Sequence, residues 1–221
     1  MATKGAKGRK AAKPTQRLSR TGKAPRGKPV AGDRYPLAEL SSLPPDLRER
    51  IVAVQEKAGF VPNVFLKLAR RPAEFRAFFA YHDALMTGEG PLTKAEREMI
   101  VVATSGANHC LYCVVAHGAI LRIYAKNPQI ADQVAVDYRK ADITPRQRAM
   151  LDFAVKLART PEALVEADLR TLREAGFSEE DIWDIGGITA FFALSNRMAH
   201  LIGMRPNDEF YLMGRVPPPK K

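Results

Sequence analysis

Apolar residues recur at every third or fourth position along most of the chain beyond residue 35, a spacing typical of amphipathic α-helices. The clearest stripe lies within residues 72–86, where five side chains share one helical face: Phe75, Phe78, Phe79, His82 and Leu85. The sequence lacks alternating apolar and polar runs joined by Asn-Gly or Asp-Gly turns, which would indicate β-hairpins. The pattern therefore predicts an all-α protein.

Two capping boxes mark the starts of predicted helices. In Thr93–Glu96 and Thr144–Gln147, the threonine oxygen can accept from the amide three residues on, while that residue's side chain bonds back. Ser178 predicts another start, because the acidic residues that follow it suit the helix dipole. With the proline and glycine breaks, these signals predict helices over about 46–57, 72–86, 94–105 and 110–125, and further helices opened by Asn127-Pro128, Thr144, Thr160-Pro161 and Ser178.

The two capping boxes also begin two similar segments. Thr93 to Ala103 aligns with Thr144 to Ala154, and in this alignment Glu98 stands opposite Ala149. The second segment is followed by no cysteine pair. The alignment predicts an internal helical repeat in which the first copy carries the chemistry and the second is structural, although capping boxes before apolar residues are common enough to coincide.

The apolar run at 182–194 is interrupted by one acid and two glycines, so we predict a buried helix instead of a membrane span. Trp183, Phe191 and Phe192 are predicted to lie in the core. The pair Gly186-Gly187 costs helix stability and indicates close packing of helix or subunit backbones.

Charge is distributed unevenly along the 221 residues. The net charge is +11, but ten lysines and arginines and no acid lie in residues 1–32, so the rest of the chain is nearly neutral. That segment is too poor in apolar residues to fold, and we predict a disordered basic tail at 1–32, an all-α domain at 33–215 and a short tail at 216–221. Nucleic-acid binding is expected only through the basic tail, whose alternative roles are a solvated extension or a transit peptide.

The two cysteines, Cys110 and Cys113, are too close together to staple distant parts of a secreted fold. No apolar signal segment is visible in the first thirty residues, so we expect a cytoplasmic protein with a catalytic or metal-binding pair and no membrane association.

The segment from Glu98 to His117 carries the candidate chemistry. On a helix, Cys110, Cys113 and His117 follow one another at i, i+3 and i+7, and therefore share a face. A helix N-terminus stabilises thiolates, and an imidazole can take a thiol proton. If the helix before the Gly106 break packs antiparallel, Glu98 folds back toward the thiols, where a partly buried carboxylate could orient His117 or relay a proton.

This spacing of glutamate, Cys-x-x-Cys and histidine resembles the core of the AhpD-like alkylhydroperoxidases in the carboxymuconolactone decarboxylase superfamily. The turn at Phe60–Phe65, the segment Ser195–Ala199 and the segment Pro206–Tyr211 resemble its peroxidase-related branch. The resemblance covers about residues 35–215 and implies an AhpD-like helical bundle that assembles as a homo-oligomer, a trimer or a hexamer.

The resemblance further implies that Cys113 attacks a peroxide, that Cys110 resolves the sulfenic acid to a disulfide, and that Glu98 and His117 relay the proton. A dithiol reductant, either a protein or a small molecule, would then reset the pair, and no cofactor or metal is implied. The sequence departs from the family at Tyr112, where the best-known members carry a second histidine. Because tyrosine titrates far above neutrality, Tyr112 cannot take that proton-transfer role.

Other functions remain open at this point. A zinc site could use Cys110, Cys113 and His117 with His109, His82 or Glu98 as the fourth ligand, but structural zinc usually needs a second ligand pair elsewhere. An oxidant sensor without turnover would keep the thiols. A decarboxylase of the same superfamily would not need a redox pair, and a thioredoxin-like protein would need a βαβ context. The histidines His82, His109 and His200 are predicted to be capping or core-edge residues.

Overall fold

The computed structural model describes residues 35–215, which contain ten α-helices and no β-strand. The helices are α1 (Pro45–Ala58), α2 (Asn63–Leu68), α3 (Pro72–Thr87), α4 (Lys94–Ala107), α5 (Leu111–Ala125), α6 (Ile130–Asp137), α7 (Pro145–Arg159), α8 (Glu166–Glu174), α9 (Glu179–Leu201) and α10 (Glu209–Leu212). The prediction of an all-α fold is confirmed.

Local capping explains where the main helices begin. The Thr93 hydroxyl oxygen accepts from the Glu96 N–H at 3.1 Å, and the Glu96 carboxylate accepts from the Thr93 N–H at 3.0 Å. Thr144 and Gln147 make the same pair of bonds at 3.1 Å each. Ser178 caps α9 in the same manner through Asp181. These bonds satisfy amides that the first helical turn leaves without partners.

Helix α4 lies at the centre of the bundle and packs against α5, α6, α7 and α9. Because neighbours surround it, every residue from Glu96 to Ser105 is buried, charged ones included. The main core cluster forms around it, with Ile100, Leu121 and Ile185 fully enclosed. A second apolar cluster surrounds the two cysteines, and a third joins α1 to α3.

Some local predictions were wrong. Thr160-Pro161 begins only a short 3₁₀ turn at Pro161–Ala163, and α8 starts later, at Glu166. Helices α2 and α10, of six and four residues, were not predicted, because segments this short carry too little periodicity to recognise. The predicted basic tail lies outside the described residues. Among the helices of residues 35–215, none is long and apolar enough to cross a membrane.

Helix α9 buries most of the apolar run at its centre. Phe191 and Phe192 lie in the core as predicted, but Trp183 is 77% exposed, contrary to the prediction. Trp183 lies near the start of α9, and the spacing of apolar residues within one helix does not show whether neighbouring helices extend far enough to cover that position. Gly187 permits close packing, because a Cβ there would lie 3.0 Å from Leu85 of α3, so the contact is with a side chain and not with a backbone.

The resemblance between the α4 and α7 segments has a structural counterpart in two helices that begin alike and pack together. The predicted internal repeat is not confirmed, and the structural role of its second copy, which includes α7, stays a prediction.

Candidate functional site

A tight turn between α4 and α5 positions the cysteines. Helix α4 continues to Ala107, and the backbone then reverses through His109, whose φ of 54° lies in the left-handed region. The Cys110 N–H donates to the Ser105 carbonyl at 2.9 Å, which fixes Cys110 as the N-cap residue of α5. The turn directs α5 back along α4, as an antiparallel pair requires.

Cys110 and Cys113 occupy the N-cap and the first turn of α5 as free thiols. Each is only 1% exposed. The free N–H groups and the dipole at a helix N-terminus favour a negative charge at this point, so the local structure supports thiolate formation despite burial.

The two thiols share a proton. The Cys113 side chain donates to the Cys110 sulfur and lowers the pKa of Cys110 to about 6, against the opposing effect of burial. The same interaction, together with burial, raises the pKa of Cys113 above the ordinary range of a thiol. The dithiol therefore holds one negative charge and one proton at neutral pH.

Glu98 and His117 form a buried pair next to the thiols. His117 Nδ1 lies 2.8 Å from a Glu98 carboxylate oxygen, and the two side chains are 13% and 7% exposed. The ring of Phe192 packs against the imidazole at 4.7 Å, nearly perpendicular to it. With the Nδ1–H directed to the carboxylate, Nε2 remains as the proton acceptor. The structure thus joins Glu98 of α4 to His117 of α5, and Cys113 and Cys110 precede His117 at the start of α5.

Two residues of α9 that sequence reasoning left without a role also reach the site. The Ser195 hydroxyl lies 3.9 Å from the Cys113 sulfur. Asn196, fully buried, accepts from the Asn108 side chain and donates to the Ser105 hydroxyl, both at 3.0 Å. Asn196 thereby ties the turn before Cys110 to α9. The available signal in the sequence was a pair of adjacent polar residues, Ser195 and Asn196, directly after the apolar run at 182–194.

His82 also lies next to the site, although the sequence predicted a capping or core-edge residue and offered it otherwise only as a fourth zinc ligand. Its ring centroid lies 6.5 Å from that of His117, and its Nδ1 lies 3.1 Å from the Asp83 carboxylate. The available signal was a titratable residue within the apolar stripe of α3. His109 is exposed in the turn, and His200 lies 3.1 Å from the Asn108 carbonyl.

The structure gives Tyr112 no role in proton transfer. Its hydroxyl accepts from the Val64 N–H at 3.4 Å, and burial raises its pKa above the ordinary range. The side chain therefore stays protonated and packs the second cluster against α2. No set of three or more His, Cys, Asp and Glu side chains within residues 35–215 is arranged to hold a metal ion, which removes support from the zinc alternative.

A groove of about 770 Å³ lies between α3 and α9, and one of its lining residues is Phe191, whose ring centroid is 6.0 Å from that of His82. Its walls are mainly apolar, with Phe78, Leu194 and Met198 among the lining residues. None of the four predicted site residues lines it, so the groove and the thiols are separate features.

Fold and site together define a helical protein with a buried dithiol beside a glutamate–histidine pair. A profile described as the carboxymuconolactone decarboxylase family matches residues 72–136, which include all four site residues. None of the curated proteins matched the chain by sequence.

Solved structures gave stronger matches. The alkylhydroperoxidase AhpD core of an uncharacterized peroxidase-related protein from Ralstonia eutropha JMP134 is 72% identical, with a TM-score of 0.82, over 84% of this chain and 97% of that one. An uncharacterized peroxidase-related protein from Silicibacter sp. TM1040 is 42% identical, with a TM-score of 0.79, over 88% and 100%. The unliganded debrominase Bmp8, 20% identical with a TM-score of 0.71 over 84% and 98%, shares the fold.

The chain therefore belongs to the AhpD-like members of the carboxymuconolactone decarboxylase superfamily. The resemblance stated from the sequence is confirmed.

Proposed function

We propose that this protein is a thiol-dependent peroxidase that reduces hydrogen peroxide or organic peroxides. The observation that carries the proposal is the 2.8 Å contact between Glu98 and His117, buried beside a dithiol at a helix N-terminus. A structural cysteine pair needs no such base, whereas a thiol used as a nucleophile does. The peroxidase-related names of the close relatives agree with this assignment.

In the proposed first step, the proton shared by the two thiols moves from the Cys113 sulfur to the Cys110 sulfur, and the Cys113 thiolate attacks the terminal oxygen of the peroxide O–O bond. The proton taken up by His117 on ionisation of the dithiol passes to the departing alkoxide, or hydroxide, which leaves as alcohol or water. Cys113 is oxidised to a sulfenic acid. Glu98 stabilises the imidazolium that His117 becomes in between. The Ser195 hydroxyl, 3.9 Å from the sulfur, can donate to the charged thiolate.

In the second step, the Cys110 sulfur attacks the sulfenic sulfur. A disulfide forms, and the hydroxyl leaves as water with the remaining thiol proton. An external dithiol then reduces the disulfide by exchange and becomes a disulfide itself. A reducing compartment such as the cytoplasm would supply this donor. We expect the working protein to be a trimer or hexamer, as the family resemblance implies.

The two cysteines can be tested separately. With a dithiol donor and excess peroxide, Cys113→Ser should abolish turnover. Cys110→Ser should stop after one equivalent and leave a sulfenic acid on Cys113, detectable by dimedone labelling and mass spectrometry. Circular dichroism and melting curves of both variants control for folding.

Three outcomes would contradict the proposal or its assignments. Peroxide turnover that survives Cys113→Ser would exclude the thiol mechanism. Dimedone labelling of Cys110 in Cys113→Ser, with rapid peroxide consumption, would reverse the two roles. A stoichiometric disulfide that forms without multiple turnover would instead favour an oxidant sensor.

A further inference from the structure

A line of titratable side chains leads from the buried pair to the surface of the bundle. It begins at Glu98 and His117, continues to His82 of α3, whose ring centroid is 6.5 Å from that of His117, and then reaches Asp83. Asp83 is held in turn by Arg50 of α1, with nitrogen–oxygen distances of 2.8 and 3.0 Å.

Side-chain exposure increases along this line from Glu98 to Asp83. The side chains of Glu98 and His117 are 7% and 13% exposed, His82 is 26% exposed, and Asp83 and Arg50 reach 40% and 37%. Within residues 35–215, the imidazole of His82 packs next to that of His117 and is thus placed between the Glu98–His117 pair and solvent.

We propose that His82 is a second proton-relay residue, a positioning residue that carries protons between His117 and solvent through Asp83. The inference rests on the proposed peroxidase function. In the best-known family members, a second histidine lies between the two cysteines, at the position that Tyr112 occupies here. The proposal assigns the proton-transfer role of that histidine to His82 of α3. The tyrosine hydroxyl is bound to the α2 backbone, so the second imidazole of the relay comes from another helix.

Aromatic side chains hold the His82 ring in place, while its surroundings act on its pKa in opposite directions. Phe79, Phe191 and Phe192 surround the ring at centroid distances of 6.0 to 6.4 Å. Burial lowers the pKa of His82, the hydrogen bond to Asp83 opposes this, and a charge on His117 lowers the pKa further.

The charged and titratable groups around His82 are Asp83 on its own helix, Arg50 of α1, which binds Asp83, Glu98 of α4 and His117 of α5, and α9 contributes the rings of Phe191 and Phe192. Because two imidazoles this close disfavour double protonation, the relay holds one proton at a time.

The proton path balances with the proposed cycle. His117 gives up one proton to the departing oxygen in each turnover. When the external dithiol regenerates the singly charged thiol pair, one proton is released and must return to His117. His82 donates its Nδ1–H to Asp83, which leaves Nε2 free to exchange protons. A centroid separation of 6.5 Å is too long for a direct N–H···N bond between the rings, so the proposed transfer requires a bridging water molecule.

The decisive variant is His82→Phe, which keeps an aromatic ring against Phe191 and Phe192 but has no titratable nitrogen. We expect kcat to fall by about ten- to a hundredfold with little change in KM, as for the loss of a general acid–base group. In His82→Ala, added imidazole should restore kcat in proportion to its free-base concentration. Tyr81→Phe, the neighbouring residue that also packs against Phe191, is the matched control and should leave kcat unchanged.

A second measurement does not depend on peroxide turnover. In the reduced, ¹⁵N-labelled protein, the solvent-exchange rate of the His117 ring N–H can be measured by NMR. We expect it to fall at least about tenfold in His82→Phe and to remain unchanged in Tyr81→Phe. If the wild-type protein shows no peroxidase activity, this exchange rate still decides the role of His82.

The proposal is overturned if folded His82→Phe keeps wild-type kcat and exchange, or if imidazole fails to rescue a folded His82→Ala. Should His82→Phe fail to fold, His82→Gln replaces it in both measurements, since glutamine keeps a donor to Asp83 but cannot relay a proton.

Discussion

Helices α4 and α7 both begin at a threonine that caps the helix, and both pack against α9, but they bury different residues. Helix α7 encloses only apolar side chains: Met150, Leu151, Phe153 and Ala154. Helix α4 encloses three consecutive charged residues, Glu96, Arg97 and Glu98, each at most 5% exposed.

Each buried charge of α4 has a partner from a different part of the bundle. Glu96 completes the cap and pairs with Arg146 of α7 at 2.7 Å. Arg97 pairs with Asp184 of α9 at 3.1 Å and donates to the carbonyls of Leu85 and Leu92. These two charges hold helices together.

Glu98 is different, because its partner is a titratable histidine beside the thiols. The corresponding position in α7 holds Ala149, and no dithiol follows that helix. The comparison therefore separates two uses of buried charge, one that joins helices and one that serves chemistry. The following variants test that separation.

The largest effect is expected at Arg97. Arg97→Met removes a buried guanidinium and leaves the Leu85 and Leu92 carbonyls without their donor, so we expect a loss of about 3 kcal/mol in the free energy of unfolding. Arg139→Met, which breaks an exposed pair with Asp152, should cost less than about 1 kcal/mol in the same urea titration. Equal losses of unfolding free energy in the two variants would mean that the buried interactions of Arg97 contribute no more to stability than an exposed ion pair.

Glu98→Gln should affect the chemistry more than the fold. Glutamine keeps the shape but cannot stabilise the His117 imidazolium, so kcat/KM for peroxide should fall about a hundredfold, equivalent to about 2.7 kcal/mol. Asp152→Asn on α7, the same exchange of carboxylate for amide, is the matched control and should retain full activity. A Glu98→Gln protein as active as this control would remove the glutamate from the relay.

The pH dependence of thiol alkylation gives a smaller, graded effect. Because the interaction with Cys113 lowers the pKa of Cys110 to about 6, the reactive thiolate exists above that pH. The iodoacetamide rate of the reduced protein should fall about tenfold for each pH unit below 6 and level off above it.

Cys113→Ala removes the hydrogen bond to Cys110, and the inflection should then move up toward that of an ordinary thiol. A wild-type inflection already near that ordinary value would show that the two thiols do not share a proton in the folded protein.

The smallest effect is expected at the cap of α7. Thr144→Ala removes the oxygen that accepts from Gln147 and should cost about 1 kcal/mol of stability without changing peroxide turnover. Thermal melting measures the first quantity and a peroxide assay the second. Reduced turnover in folded Thr144→Ala would contradict the purely structural role of α7.

Much of this arrangement could be predicted from the sequence because its causes are local. Capping boxes lie within four residues, and helical periodicity within two turns, so the starts of α4, α7 and α9 were predictable. The same short range explains the errors. Pro161 fits a helix start, but the helix forms only after Val165, where Asp168 accepts from the Val165 N–H at 2.9 Å.

The candidate site divides in the same way. The spacing of Cys110, Cys113 and His117 on one helix face follows from helix geometry alone. The interactions of Ser195, Asn196 and His82 depend on packing among helices that are far apart in sequence, and no local pattern encodes a contact across 82 residues.

The sequence by itself determined the class of this protein: an all-α chain with a dithiol at a helix start and a glutamate and histidine at fixed offsets from it. The tertiary structure decided which partner each buried charge of α4 takes, that Trp183 faces solvent, and that an imidazole from α3 lies next to His117. The physical reason is that hydrogen bonds within a helical turn are specified by neighbouring residues, whereas burial and charge pairing are specified only when the whole bundle packs.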